Sequence, residues 1–168
     1  MHRYLALGAP EYTLTQEQWL PQPVHKIFTF FENPYNLALI TPDWLDFRVL
    51  AMHPREVRPG TAITYRLRWL GVPYRWRAQI SEWIPDRRFV DLQTSGPYIL
   101  WHHTHTFEEC SGGVLLRDRV HYRLPFGPLG VLAHALIVRW QLDDIFDYRR
   151  QKTATLFAGG RDYHHPPE

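Results

Sequence analysis

The sequence predicts an α+β domain in which an antiparallel meander of strands precedes one long C-terminal helix. Two observations carry this. Between residues 60 and 124 apolar residues recur with a period of two, separated by turns too short to hold helices. After Pro125 and Pro128 the pattern turns helical and stays so to about residue 158. A chain of 168 residues, 45% apolar and 21% charged, has the length and balance of one globular domain, assigned to residues 1–160, with 161–168 read as a frayed tail. A formal charge of +2 is too small for a nucleic-acid footprint. Cys110 is the only cysteine, so disulfide scaffolds and thiolate metal clusters are excluded. With no stretch of eighteen apolar residues and too short an apolar N-terminus for a signal peptide, membrane insertion is not expected and the cytoplasm is the expected compartment. Aromatic residues at 15%, including seven Trp, exceed what a small core needs and point to a lined pocket or an interface.

The elements follow in order. Residues 12–20, YTLTQEQWL, read as an isolated strand ended by Pro21 and Pro23. Val24, Ile27, Phe28 and Phe31 then fall at helical spacing until Asn33-Pro34 breaks the run. Leu37 and Ile40 suggest one or two further turns, stopped by Pro42 before the strand-like LDFRVLAMH. In TAITYRLRWL the odd residues Ile63, Tyr65, Leu67 and Trp69 share the inner face. In YRWRAQISEWI the even residues Tyr74, Trp76, Ala78 and Ile80 do so, and a two-residue turn at Gly71-Val72 makes the two inner faces coincide. The outward Arg66, Arg68, Arg75 and Arg77 read as a solvated face. The C-terminal helix, 128–158, would span about 45 Å at 1.5 Å per residue, with Gly159 as its cap.

Five ordered blocks, NPYNLALITPDWLDF, PGTAITYRLRWLGVPYRWRAQISEW, FVDLQTSGPYILWHHTHTFEE, DRVHYRLPFG and IFDYRR, resemble the START/Bet v 1 superfamily, also called SRPBCC or polyketide cyclase-like, in its bacterial ligand-binding branch. The likeness runs from about residue 12 to 158. It implies a helix-grip fold, in which a curved sheet wraps the last helix and leaves a cavity between them. The superfamily holds lipid carriers, hormone receptors, cyclases and hydrolase-like members on this one scaffold, so the resemblance implies architecture more sharply than activity.

Candidate site residues come from strand parity. ILWHHTHTFEE places Ile99, Trp101, His103, His105 and Phe107 on one face, and VLLRDRVHYRL places Val114, Leu116, Asp118, Val120, Tyr122 and Leu124 on its apolar face. Asp118 is then a carboxylate within an apolar stripe. A turn about Ser111-Gly112 sets His105 opposite Asp118, and a turn about Cys110-Ser111 sets His103 there. These three residues have three readings: polar tips that grip a ligand, a structural pair satisfying its own buried groups, or a general acid/base set. His-x-His with a nearby carboxylate also matches a metal-ligand inventory. No metal or cofactor is expected, however, because the surrounding stripe is Trp, Phe and Leu and the one nearby carboxylate, Glu82, reads as a solvated rim residue.

The rings of Tyr65, Trp69, Trp76, Trp101, Tyr122 and Phe146 either pave a cavity or fill a core. Helical spacing carries Arg149 towards the buried stripe, where it needs a carboxylate or a ligand acid; the alternative is snorkelling to solvent. Cys110 has no partnered base, and GxSxG, P-loop and dinucleotide fingerprints are absent. The leading expectation is a cytoplasmic carrier or sensor enclosing a small hydrophobic ligand, with His103, His105 and Asp118 at its polar end. The alternative is a cyclase, dehydratase or lyase using the same three residues, and a homodimeric partner-binding module is the third reading.

Overall fold

A computed structural model describes residues 9–158. The expected cap at Gly159 and the tail 161–168 lie outside the described residues. Seven strands form one antiparallel sheet: β1 (Tyr12–Leu20), β2 (Arg48–His53), β3 (Ala62–Trp69), β4 (Val72–Ile84), β5 (Arg88–Ser95), β6 (Leu100–Cys110) and β7 (Gly113–Arg123). The order across the sheet is β1-β7-β6-β5-β4-β3-β2. The first strand thus pairs with the last, Leu14 opposite Val120, and covers what would otherwise be an open edge of β7. Register shifts in β2 and at two places between β4 and β5 put bulges into this half of the sheet, the device by which a twisted sheet is bent.

The segment between β1 and β2 holds α1 (Val24–Glu32) and two 3₁₀ turns, Pro34–Ile40 and Asp43–Leu45. α1 stops because Pro34 forces Asn33 into an extended conformation, and the Asn33 side chain accepts from the Tyr35 N–H to start the next turn. Its apolar face, Ile27, Phe28 and Phe30, is buried against the sheet.

From Pro128 to Phe157 the chain is helical without a break, as α2 (Pro128–Ala133), a π-helical turn His134–Val138 and α3 (Arg139–Phe157). The π turn is a departure from the uniform α-helix expected, and it rotates the side chains that follow relative to those before. The helix starts tightly against the end of β7: a Cβ at Gly130 would collide with the Pro125 carbonyl, so this position takes glycine. No helix among the described residues is long and apolar enough to cross a membrane.

One turn differs from expectation. The β3–β4 hairpin turns at Leu70-Gly71, both at positive φ (48° and 80°), so Trp69 pairs with Val72 and Tyr65 with Trp76. Positive φ at both central residues is the type I′ geometry, whose twist matches the flanking strands, whereas a turn at Gly71-Val72 would have needed only one. Moving the turn by one residue slides the register by two, so the inner faces still coincide.

Candidate functional site

β6 and β7 are joined by a type I′ turn at Ser111-Gly112, which sets His105 directly opposite Asp118 and decides between the two registers left open by the sequence. β5 runs on the other side of β6 and brings Asp91 opposite His103 and Phe89 opposite His105. Four polar side chains therefore meet on the inner face of three adjacent strands. His103 Nε2 lies 3.2 Å from Asp118 Oδ1 and its Nδ1 3.6 Å from Asp91 Oδ2. His105 Nε2 lies 3.2 Å from Asp91 Oδ2, a hydrogen bond, and its Nδ1 approaches Asp118 Oδ1 to 2.6 Å, a close electrostatic contact outside hydrogen-bond alignment. The two imidazoles pack on each other with centroids 3.8 Å apart, and Phe89 stacks on His105 at 4.1 Å.

The electrostatics follow from this bracketing. Burial favours the neutral His105 imidazole, but the Asp118 charge and the contacts to Asp118 and Asp91 outweigh it and hold His105 above the ordinary histidine range. Burial and the charge on His105 push His103 below it, against the pull of both carboxylates. Burial opposes ionisation of Asp118, yet His105 and His103 hold it well below the usual carboxylate range. Asp91 is lowered in the same way, its burial outweighed by the two histidines and, more weakly, by Arg149. Together these directions favour the ionised forms of Asp91 and Asp118, the charged imidazole at His105 and the neutral one at His103.

The set stands at the wall of a cavity of about 870 Å³ between the sheet and the C-terminal helix. Asp91, His103 and His105 face it, whereas Asp118, almost fully buried, lies behind the histidines. The side chain of Asp91 keeps 21% of its surface accessible, and that surface belongs to the cavity. Of the rings singled out from the sequence, Tyr65, Trp69, Trp76, Trp101 and Phe146 line the cavity. Trp76 and Trp101 meet edge to face at 5.1 Å, and the Trp69 indole N–H donates to Gln141 on the helix, closing one side. Tyr122 is not on the wall: its hydroxyl is hydrogen-bonded to His134 Nε2 at 2.8 Å, and it packs behind Val138 and Leu142, which do line the cavity. Phe126 and Leu129 line the cavity while remaining largely exposed, which marks its mouth beside the start of α2.

Arg149 reaches the cavity wall instead of snorkelling away. Its guanidinium lies 4.9 Å over the Phe146 ring, its Nε is buried without a hydrogen-bond partner, and burial lowers its pKa against the pull of Asp118 and Asp91. Glu82 pairs with Arg88 at 3.2 Å, both side chains well exposed, and takes no part in the site.

Sequence reasoning missed Asp91 and Tyr98. Asp91 shares parity with the inward Phe89, but Val90 between them is buried as well, so parity alone does not single it out. Tyr98 packs its ring against Trp76 and Trp101 from a loop, where no periodicity could have placed it.

No family model and no curated protein matches the sequence. Solved structures do. Protein CV1439 from Chromobacterium violaceum is similar over 88% of this chain and 97% of its own, with a TM-score of 0.67 and 18% identity. Ara h 8.0201 covers 87% of this chain and 99% of its own at a TM-score of 0.57 and 15% identity. The di-domain ARO/CYC BexL from the BE-7585A biosynthetic pathway covers 90% of this chain at a TM-score of 0.69 and 19% identity, this chain spanning about half of it (51%). Identities this low speak to architecture alone, and with the seven-stranded antiparallel sheet wrapped on a long C-terminal helix they show a helix-grip fold shared with these structures.

Proposed function

We propose that the chain binds and carries a small hydrophobic ligand whose polar end is an acidic oxygen, held by His103, His105 and Arg149. The observation that carries this is the composition of the cavity wall. About 870 Å³ lies within the range of small-molecule sites, roughly 300–1,000 Å³, and is paved by Trp69, Trp76, Trp101, Tyr65 and Phe146 with one polar end. At that end stand a guanidinium with an unpartnered Nε, a donor that a carboxylate, phenolate or enolate would satisfy, and beside it the His105 imidazole, whose charged form the two carboxylates favour. Cys110, as the only thiol, is in keeping with a reducing cytoplasm as the working compartment.

The test is a fluorescence titration with an apolar fatty acid probe and its methyl ester. The acid is expected to bind 1:1 and at least tenfold more tightly than the ester, with Arg149→Met removing most of that difference. Equal binding of acid and ester would remove the acidic end from the proposal, and no saturable binding of either would remove the cavity.

A second reading, acid/base catalysis of a cyclase or dehydratase kind, is favoured by one feature. His105 stands at the cavity wall between two carboxylates that stabilise its charged form, so it could give a proton to a substrate and regain one from solvent. Under this reading Asp118→Asn would cut turnover of a polyketide-like substrate by about 10²- to 10⁴-fold while leaving much of its affinity.

A further inference from the structure

We propose that Asp91 Oδ2, His103 Nδ1 and His105 Nε2 form a three-donor face for a divalent first-row transition metal, opening into the cavity, where an anionic oxygen of the apolar ligand completes the coordination shell. The sequence argued against a metal because the stripe around the histidines is apolar and, beyond Asp118, the one nearby carboxylate was Glu82. The fold adds Asp91, facing the cavity, and puts Asp118 behind the rings.

The distances fit. The three donor atoms lie within 4.8 Å of one another, with Asp91 Oδ2 3.2 Å from His105 Nε2 and 3.6 Å from His103 Nδ1. Bonds of about 2.1 Å to one metal place neighbouring donors about 3.0 Å apart at octahedral angles and about 3.4 Å apart at tetrahedral ones. Two imidazoles and one carboxylate on one face, with positions left open, are the donor set that suits ferrous iron, zinc or cobalt.

The outer shell holds a carboxylate in the right place: His103 Nε2 is hydrogen-bonded to it and His105 Nδ1 lies against it. A ligating imidazole normally gives its remote N–H to a carboxylate, which fixes ring and tautomer. Here both remote nitrogens, His103 Nε2 and His105 Nδ1, converge on Asp118 Oδ1 at 3.2 and 2.6 Å. If both N–H groups turn to Asp118, two nitrogen lone pairs and an Asp91 oxygen face one another across a shared point. Only a cation relieves that: a proton in the free protein, a metal ion when one is bound. A self-satisfied structural pair would need one carboxylate and would leave no such point.

Charge then names the class of ligand. A divalent ion, two ionised carboxylates, two neutral imidazoles and the Arg149 guanidinium sum to one positive charge beside an apolar chamber walled by Trp101 and Phe146. One anionic oxygen on an otherwise hydrophobic molecule cancels it. This last part rests on the reading of the cavity given above; the metal site does not.

The experiment uses the whole metal-stripped chain. Titration with Co²⁺, read by visible absorption, and with Zn²⁺, read by calorimetry, is expected to saturate at one ion per chain with the absorption of a four- or five-coordinate nitrogen/oxygen site. His105→Ala and Asp91→Ala should weaken binding at least 100-fold, and Asp118→Asn, which removes the outer carboxylate charge, about 10- to 100-fold. Thermal melts show which variants fold, with His105→Gln and Asp91→Asn as the milder replacements. The wild-type spectrum needs no variant, and addition of the fatty acid probe should shift it, whereas the methyl ester should not. No saturable 1:1 uptake, or uptake kept in His105→Ala but lost when the tail histidines His164 and His165 are changed to Ala, would overturn the site. Probe binding by the metal-stripped chain is measured alongside, so a failed metal site and a failed ligand chamber are told apart.

Discussion

The interface between the sheet and the C-terminal helix is filled at one end and hollow at the other, although both ends obey the same alternation of inward residues. At the far end of α3, Phe157 meets Phe30 at 5.2 Å, while Phe28 meets Phe107 and Phe89 at 5.1 and 6.0 Å. There α1 enters as a third element and fills much of the space that a curved sheet leaves under the helix, with Phe30 and Phe89 forming the floor of the cavity. At the other end no helix plays that part. The rings of Trp69, Trp76 and Trp101 stand around open space, and the start of the helix turns apolar residues outward, Leu129 (71% exposed) and Leu136 (66%) among them. Strand parity therefore decides which residues face inward, and a third layer decides whether they pack on each other or on a ligand. The histidine and aspartate cluster sits between the two regimes, with Phe89 of the filled end against His105 and Phe146 of the helix 5.7 Å from His103.

Substitutions should separate the two ends, and the largest effect belongs to the filled one. Phe28→Ala removes a ring that is 2% exposed and should cost about 3–5 kcal/mol of stability, read by denaturant unfolding, without changing probe affinity. Trp101→Ala should reverse that pattern. Its ring borders open volume, so the stability loss should stay below about 3 kcal/mol while the fluorescent probe binds more weakly. If the Trp101 variant instead unfolds like the Phe28 variant and binds the probe unchanged, the two ends are alike.

Next in size is Asp118→Asn, which removes the charge that orients both histidines and should weaken ligand binding by about 1–3 kcal/mol by calorimetry. The same cluster sets a pH dependence with two signs. His105 is raised in the folded state, so its contribution is complete below the unfolded histidine value, about 6.5, and is lost as pH rises through its folded value. Asp118 and Asp91 are lowered, so their contributions are present above the unfolded value of about 4 and are lost on acidification below it. His103, lowered, works against His105 by favouring the fold as pH rises past its own folded value. NMR titration of the imidazoles should find His105 above and His103 below the ordinary histidine value, and Asp118→Asn should bring His105 down. The smallest effect is at the hollow end's hairpin. Leu70, exposed and at φ 48°, occupies a position that asparagine adopts with less strain, and Leu70→Asn should raise stability by roughly 0.5–1 kcal/mol.

What the sequence could reveal of this site follows from how strictly each strand alternates. β6 and β7 alternate cleanly, so His103, His105 and Asp118 could be placed inward with no other information. β5 does not: Phe89 and Val90 are both buried, and opposite them the register shifts between Ile80 and Glu82, so the face of Asp91 was ambiguous although it completes the site. Tyr122 shows the complementary limit. Parity placed it inward correctly, but the hydroxyl is taken by His134, a contact made across about a dozen residues that no strand pattern encodes. The direction of Arg149 was equally open until the helix had been set against two carboxylates on the sheet.

The central claim, a chamber that holds an apolar ligand by an acidic end, is tested most directly by native mass spectrometry of the freshly purified chain before and after addition of the fatty acid probe. The account predicts one ligand mass per chain that survives gentle desolvation, disappears on denaturation and is lost first from Arg149→Met. A spectrum showing only the bare chain, with the probe no better retained by the wild type than by Arg149→Met and Trp101→Ala, would contradict it.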